Sequence, residues 1–167
     1  MAGTNKRIVI VSTDKSFLQD TRAAFTASET VELVTVEKAV TELRGEIQDS
    51  EAKAAIIDMD ASQLDQIESL QRVIRRLDGR IPVIVVTQQF DAAAVRILVQ
   101  LHVADFMTKP VTTADLVRSC IRALQGEREL AKATLEWTGA KIAFRHEVAV
   151  QSAIANLPSL EPLVADN

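Results

Sequence analysis

Short apolar runs alternate along this chain with longer stretches whose apolar positions recur every three or four residues. The runs are Arg7–Val11, Val31–Val36, Ala54–Ile57, Val83–Val86 and Ala104–Met107. Runs of this kind, rich in β-branched residues, predict strands, and a run apolar at every position predicts a strand buried on both faces. Between them, Phe17, Thr21 and Phe25 lie one turn apart, and Val40, Leu43 and Ile47 follow at i, i+3, i+7 around a weakening Gly45. Leu64, Ile67, Leu70, Ile74 and Leu77, then Val95, Leu98 and Val99, then Val117, Cys120, Ile121 and Leu124 repeat the helical spacing. Each series predicts the inner face of one helix. Ser62 to Asp65 and Thr112 to Asp115 have the spacing of capping boxes, Asp91 stands where it can cap the fourth helix, and Asp78-Gly79 stops the third.

Five strand–helix units are thus complete by Gly126. Strict alternation predicts an α/β fold with a parallel sheet covered on both faces, and the doubly wound, flavodoxin-like order 2-1-3-4-5 is the common solution at this size. The expected organisation is one domain over residues 1–126 and a helical extension or linker, partly disordered, over 127–167. Glu127 to Trp137 can continue the fifth helix, Val148 to Leu157 has the pattern of another short one, and the end around Pro158 and Pro162 is expected to be disordered. Forty residues, roughly, are too few for a core of their own.

Composition narrows the function classes. The 167 residues are 47% hydrophobic but only 4% aromatic, which suits an aliphatic α/β core. A net charge of −4 leaves no basic footprint, so nucleic acid is not an expected partner. The single cysteine, Cys120, forbids an intrachain disulfide and suits a reducing compartment. No apolar stretch approaches the ~18 residues of a membrane span, and MAGTNKR has no signal-peptide core. A cytoplasmic protein without a transmembrane segment is expected.

In the predicted order, four strand ends converge on one crevice, where open α/β sheets place their chemistry. They carry Ser12, Thr13 and Asp14; Asp58, with Asp60 beyond it; Thr87; and Lys109. A carboxylate such as Asp58 reads either as a functional group on a rigid scaffold or as the cap of the next helix. Thr87 and Phe106 read equally as ordinary strand and core residues, and Asp60 as a solvated loop residue. A lysine between a buried strand and a proline is harder to assign to packing. His102 and His146 show no metal-ligand spacing. Asp58 and Asp60 as an acid–base pair have no further catalytic group converging on them, so no enzyme is expected.

The Asp ending strand three, PVIVVT ending in Thr87, and ADFMTKP with Phe106, Lys109 and Pro110 together resemble the receiver (CheY-like) domain of bacterial response regulators over about residues 7–125. The resemblance implies that Asp58 accepts a phosphoryl group from a histidine kinase or phosphotransfer protein in a two-component phosphorelay. It makes Lys109 and Thr87 the groups that hold that phosphoryl, Phe106 the switch aromatic, and the Lys109-Pro110 bond cis. It implies Mg²⁺ held by an acidic pair after strand one, but Ser12 and Thr13 stand at those positions, leaving Asp14 and Asp58 and an expectation of weak or absent binding.

The stretch PVIVVTQQFDAAAVRILVQLHVADFMTKPV, with Val103-Ala104 where receivers carry Gly-Ala, is similar to the atypical receiver of CpaE/TadZ-type pilus-assembly proteins. No GxxxxGK[ST] loop of their ATPase domain occurs here. Two functions follow, a phosphorylated signalling switch and a phosphorylation-independent pseudo-receiver for dimerisation or localisation in pilus assembly. Receivers use the face of the fourth helix, fifth strand and fifth helix for pairing. Here that face offers Arg96, Asp105, Arg118 and Arg122, with a homodimer as the expected assembly.

Overall fold

A computed structural model describes residues 6–27, 30–89 and 91–136, with side chains as far as Gly126. Five strands, β1 (Lys6–Val11), β2 (Val31–Val36), β3 (Ala54–Asp58), β4 (Val83–Thr87) and β5 (Asp105–Thr108), form one sheet in the order β2-β1-β3-β4-β5. Every pairing is parallel, with Val11 beside Ile57 and Asp58 beside Val86. The sheet is the flavodoxin-like one that the alternation of runs predicts.

The apolar strands are buried because their two faces feed two cores. Val9, Val11, Ala55, Ile57 and Val85 pack under α3 (Leu64–Leu77) and α4 (Ala92–Gln100). Ile8, Ile10, Ile56, Ile84 and Val86 pack under α1 (Lys15–Thr26) and α5 (Thr113–Glu136). Each fully buried aliphatic side chain contributes about 1.5–3 kcal/mol against exposure. The strand order reverses between β1 and β3, so their carboxyl ends border the crevice.

Several local expectations are revised. The predicted second helix is a 3₁₀ turn at Val40–Glu42 and a single helical turn, α2, at Glu46–Asp49. Val40, Leu43 and Ile47 are buried as their spacing predicts. The helix breaks because Leu43 is extended and the Glu46 carboxylate folds back to accept the backbone N–H groups of Arg44 (2.7 Å) and Gly45 (3.0 Å). The capping box at Ser62 does not form. Ser62 instead donates from its backbone (3.0 Å) and its hydroxyl (2.6 Å) to Asp60 Oδ1, α3 starts after Gln63, and Leu64 is 70% exposed.

Val99 and Ile121 also face solvent rather than the core, while Leu18 and Leu116 take inner positions. Asp91 does cap α4, accepting from Ala94 N at 2.6 Å, and Thr112 Oγ1 accepts from Asp115 N at 3.2 Å at the start of α5. β5 begins at Asp105 rather than Ala104 and ends at Thr108. The left-handed turn before it falls on His102, with φ 56°, one residue ahead of Val103. α5 continues without a break past Gly126 to Glu136. The helix expected at Val148–Leu157 and the Pro158/Pro162 end lie outside the described residues, as does His146.

Candidate functional site

The backbone delivers each side chain by pairing. Ser12 follows β1 and stays in register through its N–H to Val36 O (3.2 Å), and Met59, just after Asp58, donates to Val86 O (2.9 Å). Lys109 N donates to Thr87 O (2.8 Å), and the Lys109-Pro110 peptide is cis. Asp14 caps α1, its Oδ1 accepting from Phe17 N at 3.1 Å.

These placements bring Ser12, Asp14, Asp58 and Lys109 together. Asp58 Oδ2 accepts the Ser12 hydroxyl at 2.6 Å and the Lys109 ammonium at 2.7 Å. The Ser12 hydroxyl also accepts from Asp14 N (2.9 Å), and Lys109 Nζ lies 3.4 Å from Asp14 Oδ2. Side-chain exposure is 12% for Asp58 and 20% for Lys109, so the pair sits mostly out of water, where its charges must answer each other. The Phe17 N–H, and after it Lys109, holds the Asp14 carboxyl below its ordinary range. Among the described residues no donor reaches Asp58 Oδ1.

Thr87 is fully buried, and its hydroxyl accepts from Ala61 N (3.1 Å) and donates to Gln89 O (3.3 Å). It ties the loop after β3 to the loop after β4. Phe106 is 6% exposed and belongs to the core under α3 and α4. Asp60 turns into its own loop, where the Ser62 hydroxyl and N–H and Gln63 Nε2 bind its carboxylate and lower its pKa. It does not join Asp58 as an acid–base partner.

The pairing face needs one correction. Arg96 and Arg118 are exposed and Arg122 half-buried, with Arg118 beside Asp115 at 3.4 Å. Asp105 is 6% exposed: it accepts from its neighbour Phe106 N at 2.8 Å and from the Ser119 hydroxyl. A buried carboxylate bonded this way is not available to a partner across an axis. Ser119 carried no sequence signal, since a serine on a helix face reads as solvated until its buried partner is known. Phe17 was legible as a core residue of α1, but its ring also lies 4.7 Å from Lys109 Nζ, which no spacing rule foretells.

Mg²⁺ requires about six oxygen ligands in near-octahedral geometry. Here Asp58 Oδ2 already holds two donors, Asp14 Oδ1 caps a helix, and Ser12 and Thr13 bring no charge. Among the described residues no group of three or more His, Cys, Asp or Glu side chains is placed to hold a metal ion. The donor set does not fit the divalent cation that receiver domains typically bind. Among the same residues no helix is long and apolar enough to cross a membrane.

Solved structures with this fold are numerous and distant in sequence. The fold is similar to a CheY-like receiver domain protein from Methanospirillum hungatei JF-1 (TM-score 0.64, 20% identity, 74% of this chain and 97% of that one). It is similar to the receiver domain of RcsB from Salmonella enterica serovar Typhimurium, solved with the phosphomimetic BeF₃⁻ (0.59, 23%, 73% and 89%). It is also similar to a protein from Burkholderia pseudomallei K96243 described as pilus assembly-related (0.62, 16%, 75% and 93%). No curated protein sequence matches the chain. Residues 8–120 match the response regulator receiver domain, and the chain belongs to that family.

Proposed function

We propose that this receiver-type signalling domain is a pseudo-receiver, a binding and dimerisation module whose aspartate pocket is satisfied from within. One observation carries the reading: the Ser12 hydroxyl, where receivers have an acidic residue, donates to Asp58 Oδ2 at 2.6 Å alongside Lys109. The pocket thereby gains a donor and loses the carboxylates that would hold Mg²⁺. Resemblance to CpaE/TadZ-type receivers supports a role in pilus assembly, in the cytoplasm. The homodimer uses the exposed arginines Arg96 and Arg118, with Arg122 and the part of α5 beyond Gly126 adding contact.

A second reading has its own observation. Among the described residues no donor reaches Asp58 Oδ1, while Lys109 stands 2.7 Å from Oδ2, an arrangement suited to a phosphoacceptor. In that reading a histidine kinase phosphorylates Asp58, Lys109 and Thr87 hold the phosphoryl, and Phe106 follows Thr87. Incubation with a small acyl phosphate and Mg²⁺, followed by intact-mass spectrometry, separates the two. The pseudo-receiver gains no phosphoryl mass; a gain that disappears in Asp58→Asn establishes the switch.

A further inference from the structure

We propose that Phe17 is the positioning residue of the aspartate pocket: its ring lies against the Lys109 ammonium and keeps it on Asp58 as the pocket's resident cation. The inference rests on the pseudo-receiver reading and extends it to Phe17.

The contacts close a circuit through five residues. Phe17 N donates to Asp14 Oδ1 (3.1 Å), Asp14 N donates to Ser12 Oγ (2.9 Å), and Ser12 Oγ donates to Asp58 Oδ2 (2.6 Å). Lys109 Nζ donates to the same Oδ2 (2.7 Å) and lies 4.7 Å from the centroid of the Phe17 ring, which returns the path to its start. A cation within about 6 Å of an aromatic face is attracted by the ring quadrupole, more strongly where water is excluded. Lys109 meets both conditions, being 20% exposed. Phe17 is anchored because the rest of its side chain packs on the core under α1 and α5. It therefore acts twice, through its N–H on Asp14 and through its ring on Lys109. The four-carbon lysine stem, free to swing in solvent, is confined between an aromatic face and two carboxylates.

Packing alone would place an apolar side chain at 17; the positioning role requires an aromatic one. Phe17→Leu keeps an apolar body and removes the ring, and Phe17→Trp restores a π face. The readout is the rate of reductive methylation of Lys109 in the full chain, resolved by peptide mass spectrometry. The exposed Lys15 of the same sample is the internal standard. Lys109 in Phe17→Leu should react roughly 2- to 30-fold faster than in the unaltered chain, the span that cation–π strengths imply. Phe17→Trp should return the rate to or below its starting value.

Equal rates in the unaltered chain and Phe17→Leu, or a Trp variant as fast as the Leu one, overturn the proposal. Circular dichroism checks each fold, and Phe17→Met replaces a leucine variant that fails to fold and is judged by the same comparison. A phosphoryl gain by the unaltered chain refutes the pseudo-receiver reading by a separate measurement, while the Lys109 rates still judge the ring.

Discussion

Restoring the missing acids should convert this pocket into a metal-dependent one. In Ser12→Asp, Thr13→Asp the hydroxyl now 2.6 Å from Asp58 Oδ2 is replaced by a carboxylate. Two like charges at roughly 4 Å repel by about 4 kcal/mol at the effective dielectric of a protein surface. Lys109, 2.7 Å from Asp58, lies within reach of the new carboxylate and offsets on the order of half of that. The loss of the Ser12 bond adds about 1 kcal/mol. The variant should thus be destabilised by about 3 kcal/mol without metal, lowering Tm by on the order of 10 °C. Mg²⁺ at a hundred times its Kd should return about 2.7 kcal/mol. Differential scanning fluorimetry in chelator and in Mg²⁺ reads both effects. A variant Tm unmoved by Mg²⁺, or an equal rise in the Tm of the unaltered chain, would refute this conversion.

Four further outcomes follow from other parts of the fold. Glu46 is held well below the usual carboxyl range by the Lys38 ammonium and by backbone N–H groups; Asp60 is lowered by Ser62, and Asp14 by Phe17 N–H. Depressed carboxyl pKa values give stability that is present above about pH 4.5 and lost on acidification. The urea midpoint should fall below that pH, and less steeply in Glu46→Gln. At the other end, burial raises the Cys120 thiol to about 12, so stability should decline as pH rises beyond about 9, a decline that Cys120→Ala removes. Asp78 ends α3 in the left-handed region with φ 51° and sets a negative charge at a helix C-terminus. Asp78→Gly should stabilise by roughly 0.5–1 kcal/mol in chemical unfolding, and a loss of stability would refute the strain argument. Sedimentation should show a dimer for the full chain and a weaker one for a chain ending at Gly126; monomers in both at high concentration would defeat the assembly proposed.

The sheet was legible because buried parallel strands are apolar at every position, and the crevice because their polar ends fall in register. Ser12, Asp58, Thr87 and Lys109 could be placed from that alone. What the sequence did not reveal were interactions in which one side chain captures another's expected partner. Asp60 takes the Ser62 groups that a capping box would use, and Glu46 takes the N–H groups that would have continued a helix. Asp105 looked like a surface charge because a carboxylate on a short edge strand is normally solvated; its burial depends on Ser119, fourteen residues away. Ser12 lacks the charge of an acid, but its hydroxyl contributes a bond that an ionised acid would not. Such exchanges depend on distances of a few tenths of an ångström, which no periodicity encodes.

An Asp58 satisfied by Ser12 and Lys109 has no need of metal or phosphoryl. Titration of the ¹⁵N-labelled chain with Mg²⁺ and then beryllofluoride, followed at the amides of Asp58, Met59, Thr87 and Lys109, tests it most directly. No saturable shift is expected at these amides in the low millimolar range. Saturable shifts there, with Thr87 moving as beryllofluoride is added, would contradict it.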